Sequence, residues 1–204
     1  MYRLAKYSDL GAITNIRYSI REKNPLGIFA KLGKPFLKEY YRIVINDPTT
    51  LFICYENDNQ KIEGFVFAVL DSKRFQISIK HNKVRLACAS LSSFLLKPSL
   101  FKELFKRFKS VEKQTDDFVH MTGARIGYWG WDPNSPNPET SVEMHEVLLR
   151  MTKLLGLNKI YLEVDKENKS IYKFHKLNGA IVEEEKKLCD NRTRVLMYYD
   201  LNDK

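Results

Sequence analysis

The stretch NKIYLEVDKENKSIYKFHKLNGA, Asn158 to Ala180, decides the fold. Lys159 to Val164 reads as an apolar strand, and Asn168 to Leu177 reads as a short helix that Asn178 and Gly179 stop. Upstream, ARIGYWGW (Ala124 to Trp131) reads as a strand and DPNSPNPET as a loop. Thr140 or Ser141 then caps a helix to about Leu155, with Met144, Val147, Leu148, Met151 and Leu155 inward, and Gly156 ends it. Downstream, Ala180 to Leu188 and Arg194 to Leu201 pair as a hairpin across CDNR.

The N-terminal part supplies the other half of the sheet. Residues 2–6 read as a strand. Ser8 and Asp9 cap a helix from Leu10 to Arg21, whose apolar positions are Leu10, Ile13, Ile16 and Ile20. Pro35 opens a second helix that ends at about Asn46, whose Phe36, Tyr40 and Tyr41 read as core positions, with a substrate cage as the alternative. Leu51 to Tyr55 and Ile62 to Leu70 form a hairpin across ENDNQK. A parallel crossover beside antiparallel pairs predicts an α/β fold, with one mixed sheet and helices on both faces. The division is a single domain over 1–204. Residues 1–72 supply a strand, helices and hairpin, 73–113 are a helical insertion, and 124–201 form the last part.

Composition narrows the class. The chain has 204 residues, 44% of them hydrophobic, enough for one domain with a sizeable core. No apolar run reaches the roughly 20 residues of a spanning helix, and the first ten residues lack a signal-peptide core, so a cytoplasmic protein is expected. Cys54, Cys88 and Cys189 are too widely spaced for a disulfide framework or metal clip, and Cys54 and Cys88 read as small buried groups. His81, His120, His145 and His175 show no metal-ligand spacing, so no metal site is expected. The net charge is +9, and 73–113 hold 11 Lys or Arg against Glu103 and Glu112, so the basicity belongs to that segment.

From Ala124 to Leu201 the layout resembles the GNAT superfamily of N-acyltransferases. The local match is an apolar strand ending in L-x-V, then Asn, then a helix closing in F-Y-x-K-x-G-F. Leu162 and Val164 fill the strand positions, and Asn168, Phe174 and Gly179 fill the others without a gap. The resemblance implies a GNAT-like acyl-CoA N-acyltransferase fold in which two parallel strands, Ala124 to Trp131 and Lys159 to Val164, splay apart. Pantetheine fills the gap like an added strand, and the following helix N-terminus receives the pyrophosphate. Trp131, Ser135, Asn137, Thr140, Ser141, Val164 and Asn168 are the cofactor-binding candidates for acetyl-CoA as co-substrate. The chain departs from the family's Q/R-x-x-G-x-G/A loop, because PNPETS (Pro136 to Ser141) places Glu139 and Ser141 at two glycine positions. A carboxylate there repels phosphate.

Other candidates follow from the same resemblance. His175 stands where the family often has a tyrosine that protonates the leaving thiolate; its alternative is a half-exposed helix histidine whose pKa Lys173 and Lys176 depress. Asp132 is the candidate general base, or a turn residue before Pro133. Glu163 is a second strand carboxylate that can equally face solvent. Tyr128 and Trp129 line an acceptor pocket or form an ordinary aromatic strand face. Lys80 and Arg85, with Lys83, Lys102, Lys106 and Arg107, suit an anionic acceptor such as an amino sugar. The stretch Ser99 to Lys109 puts Leu100, Phe101, Leu104, Phe105 and Phe108 on one side and lysines and arginine on the other. That pattern also suits a peripheral membrane contact, ranks nucleic acid last, and is compatible with a solvated face. The expectation is an N-acetyltransferase acting on a small-molecule amine, with a non-catalytic binding module as the alternative.

Overall fold

The computed structural model describes residues 1–21, 28–102, 104–105, 123–188 and 191–202. Its sheet has seven strands: β1 (Tyr2–Leu4), β2 (Thr50–Glu56), β3 (Ile62–Val69), β4 (Arg125–Trp131), β5 (Lys159–Asp165), β6 (Ile181–Lys187) and β7 (Thr193–Asp200). They lie in the order β1-β2-β3-β4-β5-β7-β6. Only β4 and β5 run parallel; their neighbours on either side are antiparallel. β6 is an edge, and the charged run Glu183 to Lys187 guards it against further pairing.

Among the described residues the named helices are α1 (Leu10–Ser19), α2 (Ile28–Lys31), α3 (Gly33–Asn46), α4 (Ser72–His81), α5 (Lys83–Leu96), α6 (Pro138–Leu154) and α7 (Lys169–Leu177), and 99–102 and 104–105 are helical as well. One core joins α1 and α3 to the sheet through Ile13, Leu37, Tyr41, Phe65 and Phe67. A second joins α6 to the other face through Met144, Leu148, Ile160, Val164 and Tyr199. β3 is buried at every residue because both cores rest on it, which is why its sequence runs apolar without alternation. Glu63 is the exception, and it is paid for by hydrogen bonds from Asn57 Nδ2 at 2.7 Å and Ser135 Oγ at 2.9 Å.

Several local expectations change. The helix after β4 starts at Pro138 with Asn137 at the N-cap position, ahead of Thr140 and Ser141, because proline is preset for the first turn. Its inward face is Met144, His145, Leu148, Leu149 and Thr152, while Leu155 is exposed. Asp9 does not cap α1 by its side chain; Arg3 grips it at 2.7 and 2.9 Å. Cys54 is buried but Cys88 is exposed, and Cys189 lies outside the described residues. The insertion is ordered as α4 and α5 over 72–96, with Asp71 capping α4 through the Arg74 N–H at 3.0 Å. Of the apolar side expected for Ser99 to Lys109, Leu100 is buried while Phe101 and Phe105 are exposed. Glu103 and residues 106–109, including Lys106, Arg107 and Phe108, lie outside the described residues.

The feature that shapes the site is a bulge. Phe67 pairs with Tyr128 and Ala68 with Ile126, so Gly127 has no opposite number on β3. A Cβ on Gly127 would run into the Phe67 ring, and one on Gly130 would meet the Phe65 ring at 2.9 Å. The glycines of ARIGYWGW leave room for the aromatic rings of β3 to lie across β4. Gly127→Ala is therefore expected to destabilise the protein by about 1–3 kcal/mol, the usual range for overpacking. Phe67→Leu should relieve part of this, so that denaturant melts of the double variant show a loss smaller than the sum of the single losses.

Candidate functional site

β4 and β5 are in register at one pair, Arg125 with Tyr161, backed by the Tyr161 N–H to Ala124 carbonyl bond at 3.0 Å. Beyond it the strands diverge. The opening is a slot of about 290 Å³ bounded by Ile126 to Trp129 on β4 and Leu162 to Asp165 on β5. It is closed by Arg17 of α1, His145 of α6, Asn168, Ile171 and His175 at α7, and Arg194 of β7. Successive strand residues point to opposite faces, so the slot passes through the sheet. Trp129 joins the core on the α6 face and Tyr128 joins the core on the α1 face.

On the α6 face the lining is aromatic. The His145 ring lies 5.5 Å from Trp129, 5.3 Å from His175 and 5.3 Å from Tyr199, and Trp129 lies 4.9 Å from Phe174. His175 is 5% exposed, and its Nδ1 is 2.8 Å from the Tyr199 hydroxyl. Burial pushes the imidazole down to about 4 and pushes the Tyr199 phenol up, so both are uncharged at neutral pH. Lys173 and Lys176 are exposed, and burial alone accounts for the shift. The half-exposed histidine foreseen as the alternative is replaced by a buried one on the slot wall.

On the α1 face the lining is charged. Glu163 is held by Arg125 and by Arg194, the latter at 3.1 Å. Asp165 is held by Arg192 and Arg194, each at 2.9 Å. Arg17, 5% exposed, donates to the Tyr128 hydroxyl and stacks 3.7 Å from that ring's centroid. Next to the slot is a second chamber of about 460 Å³, lined by Tyr40, Phe67, Phe75, Gln76 and Lys80 among others. Ile126, Gly127, Glu163 and Arg194 border both spaces.

The expected residues divide accordingly. Tyr128, Trp129, Val164, Asn168 and His175 come together on the slot, and Lys80 reaches the second chamber. Arg85 pairs with Glu39 at 3.0 Å in a separate groove beside α3 and α5. Asp132 lines neither space. It accepts from Lys61 at 2.9 Å and from the Asn134 N–H at 3.0 Å, which lower its pKa, and that geometry favours the turn-residue reading. Glu163 faces the slot, not bulk solvent, and is ion-paired. Trp131 lies over Gly64 and packs on Tyr55 with ring centroids 5.5 Å apart. Ser135 is committed to Glu63, and Asn137, Thr140 and Ser141 sit at the start of α6.

That helix start bears on coenzyme A. Asn137 makes no side-chain cap bond and Pro138 has no N–H, so the amides of Glu139, Thr140 and Ser141 head the helix. They suit an anion, while the exposed Glu139 carboxylate opposes one. The slot is open to an extended chain; at the helix start the backbone donors favour a phosphate and the Glu139 carboxylate disfavours it.

Sequence reasoning passed over Arg17, His145, Arg194 and Tyr199. Arg17 had a signal: it follows Ile13 by four and Leu10 by seven, which sets a charge on the apolar stripe of α1. His145 likewise lies three before Leu148 on the inward face of α6.

No protein-family model matches the sequence, and no curated protein does. Solved structures do, along almost the whole chain. A chimera of the spermidine N-acetyltransferase SpeG from Vibrio cholerae is similar at 16% identity with a TM-score of 0.60, over 100% of this chain and 96% of that one. An aminoglycoside 6'-acetyltransferase type Ii is similar at 9% identity and a TM-score of 0.60, over 98% and 97%. A GNAT-family acetyltransferase from Bacillus cereus is similar at 13% identity and a TM-score of 0.55, over 98% and 96%. With its mixed seven-stranded sheet and the opening between β4 and β5, this chain has the fold of the GNAT acetyltransferases.

Proposed function

We propose that the chain moves an acetyl group from acetyl-CoA to a primary amine of a small anionic acceptor. The observation that carries this reading is the slot through the sheet. Past Arg125 and Tyr161, β4 and β5 make no further ladder with each other, so backbone N–H and C=O groups face the opening from both sides. Such groups need partners, and an extended amide-bearing chain such as pantetheine can pair as an added strand. Val164, Asn168, Ile171 and Trp129 would flank it. The first amides of α6, with Asn137 and Thr140, would meet the pyrophosphate. When bound, acetyl-CoA supplies the acetyl group as an activated thioester.

The two faces then divide the work. On the α6 face, a Tyr199 hydroxyl that donates to His175 Nδ1 leaves the ring hydrogen on Nε2. The neutral imidazole can then offer a hydrogen bond to a developing thiolate. On the other face the acceptor enters past Lys80, Tyr40 and Phe75. Among the described residues, the one carboxylate bordering that chamber is Glu163, which two arginines already hold. The polyamine named for the Vibrio cholerae neighbour would meet cations there, whereas an anionic amine would meet partners. A second reading, attachment to an anionic membrane surface, is favoured by exposed Leu91, Leu95, Leu96 and Phe101 beside Lys97 and Lys102 on the insertion.

Acetyl-CoA at a hundred times its dissociation constant should stabilise the fold by about 2.7 kcal/mol, seen as a rise in Tm, and thiol should be released once an amine is added. Glu139→Gln should tighten acetyl-CoA by about two- to fivefold in calorimetry, the scale of one charge at a helix start. An unchanged Tm at millimolar acetyl-CoA would contradict the acetyltransferase reading.

His175→Phe should lower kcat and leave the affinity for acetyl-CoA nearly intact. It should also change the pH dependence of stability. The imidazole's ordinary value of 6.5 falls to about 4 in the folded chain, so its contribution is complete above 6.5 and is lost as pH drops towards 4. Between pH 7 and pH 5 the loss is about 2 kcal/mol. Denaturant melts of His175→Phe should lack that share of the acid destabilisation.

A further inference from the structure

We propose that Arg17 and Tyr128 form a subsite for a carboxylate on the acceptor, which makes the acceptor a compact amino acid whose acid group lies a few bonds from the reacting amine. This rests on the reading of the slot as an acetyl-transfer site and names the acceptor more closely than that reading does.

Arg17 is a buried cation whose recorded partners carry no charge. It is 5% exposed at the C-terminal end of α1, and it touches the hydroxyl and ring of Tyr128 and the hydroxyl of Tyr41. It takes part in none of the ion pairs among the described residues. A guanidinium does not shed its proton, so burial cannot neutralise it as it can a lysine. A lone buried charge is costly, and a sequence that keeps one facing a cavity leaves the matching charge to a ligand.

The surroundings define that ligand. The planar fork of an arginine matches a carboxylate with two parallel hydrogen bonds. The slot's own carboxylates leave little negative charge to oppose one. Glu163 lies between Arg125 and Arg194, and Asp165 between Arg192 and Arg194. Three arginines, Arg125, Arg192 and Arg194, hold these two carboxylates, so both are already engaged by cations other than Arg17.

Position then sets the size. Arg17 shares a slot of about 290 Å³ with Gly127 and His175, so an anion at Arg17 is close to the place where acyl transfer would occur. An acceptor whose only charge is a distant phosphate, as in a nucleotide-linked sugar, would direct it towards Lys80 at the rim and leave Arg17 unmatched. A short amino acid places its amine in the slot and its carboxylate on Arg17 together.

The test compares acids with their own amides. Glycine, β-alanine and L-phenylalanine are each assayed beside the corresponding carboxamide, with acetyl-CoA and thiol release as the readout. Intrinsic reactivity favours the amide, whose less basic amine is less protonated at neutral pH, so a preference for the acid must come from the protein. At least one acid should exceed its amide tenfold or more in kcat/KM. In Arg17→Gln the ratio should fall to near one with acetyl-CoA affinity unchanged by calorimetry, and Arg17→Lys should restore part of it. Amides used as well as acids by the unaltered protein, or an acid preference that survives in Arg17→Gln, would overturn the subsite. Acetylation of spermidine or glucosamine but of no amino acid would overturn it and leave the acetyltransferase reading standing. Failure with every amine would overturn both. Should Arg17→Gln not fold, the acid-to-amide ratios of the unaltered protein and of Arg17→Lys decide.

Discussion

β4 and β5 meet at Arg125 and Tyr161 and then part, and the rest of the site is arranged around that parting. Its cause lies one strand away. β3 carries Phe65 and Phe67, whose rings need the space above Gly130 and Gly127, and the bulge at Gly127 absorbs one residue of β4. A bulge bends and twists the strand that bears it. β5 cannot follow, because all seven of its residues are laddered to β7. Two strands held by different partners, one of them bulged, leave a gap with no ladder across it beyond Arg125 and Tyr161.

The gap also separates two chemical environments. The α6 face offers stacked rings and two buried histidines, an apolar wall in which an imidazole stays neutral. The α1 face offers guanidinium groups, most of them tied to carboxylates. A thioester entering from the first side and an amine from the second would meet in the throat beside Gly127. Among the described residues no carboxylate pairs with Arg17, and the proposed acceptor subsite is drawn from that.

Much of this arrangement could be read from the sequence. The run from Asn158 to Ala180 fixed β5 and α7 nearly to the residue, since strand and helix periods change sharply at Asn168 and Gly179 halts the helix. Both hairpins were marked by polar turns. Val164, Asn168 and His175 reached the slot because local motifs place them on its walls. Asp132 and Arg85 went elsewhere for a reason the sequence hides. Lys61 and Glu39, remote in the chain, are their partners, and a single charge looks the same in sequence whether or not a salt bridge has claimed it. Arg17 was overlooked for the opposite reason. Its place on the apolar stripe was visible, but the tyrosine it stacks on lies 111 residues away. The burial of His175 depends likewise on Tyr199 and His145 closing over it from other elements.

The account stands or falls on whether the opening takes the thioester carrier. A crystal structure of the protein soaked with acetyl-CoA measures this directly. The result expected is pantetheine lying between Gly127 to Trp129 and Leu162 to Val164, with its amides bonded to those strand edges and the thioester between His175 and Arg17. Density for the nucleotide at another surface, with the strand edges closed on side chains or water, would contradict it.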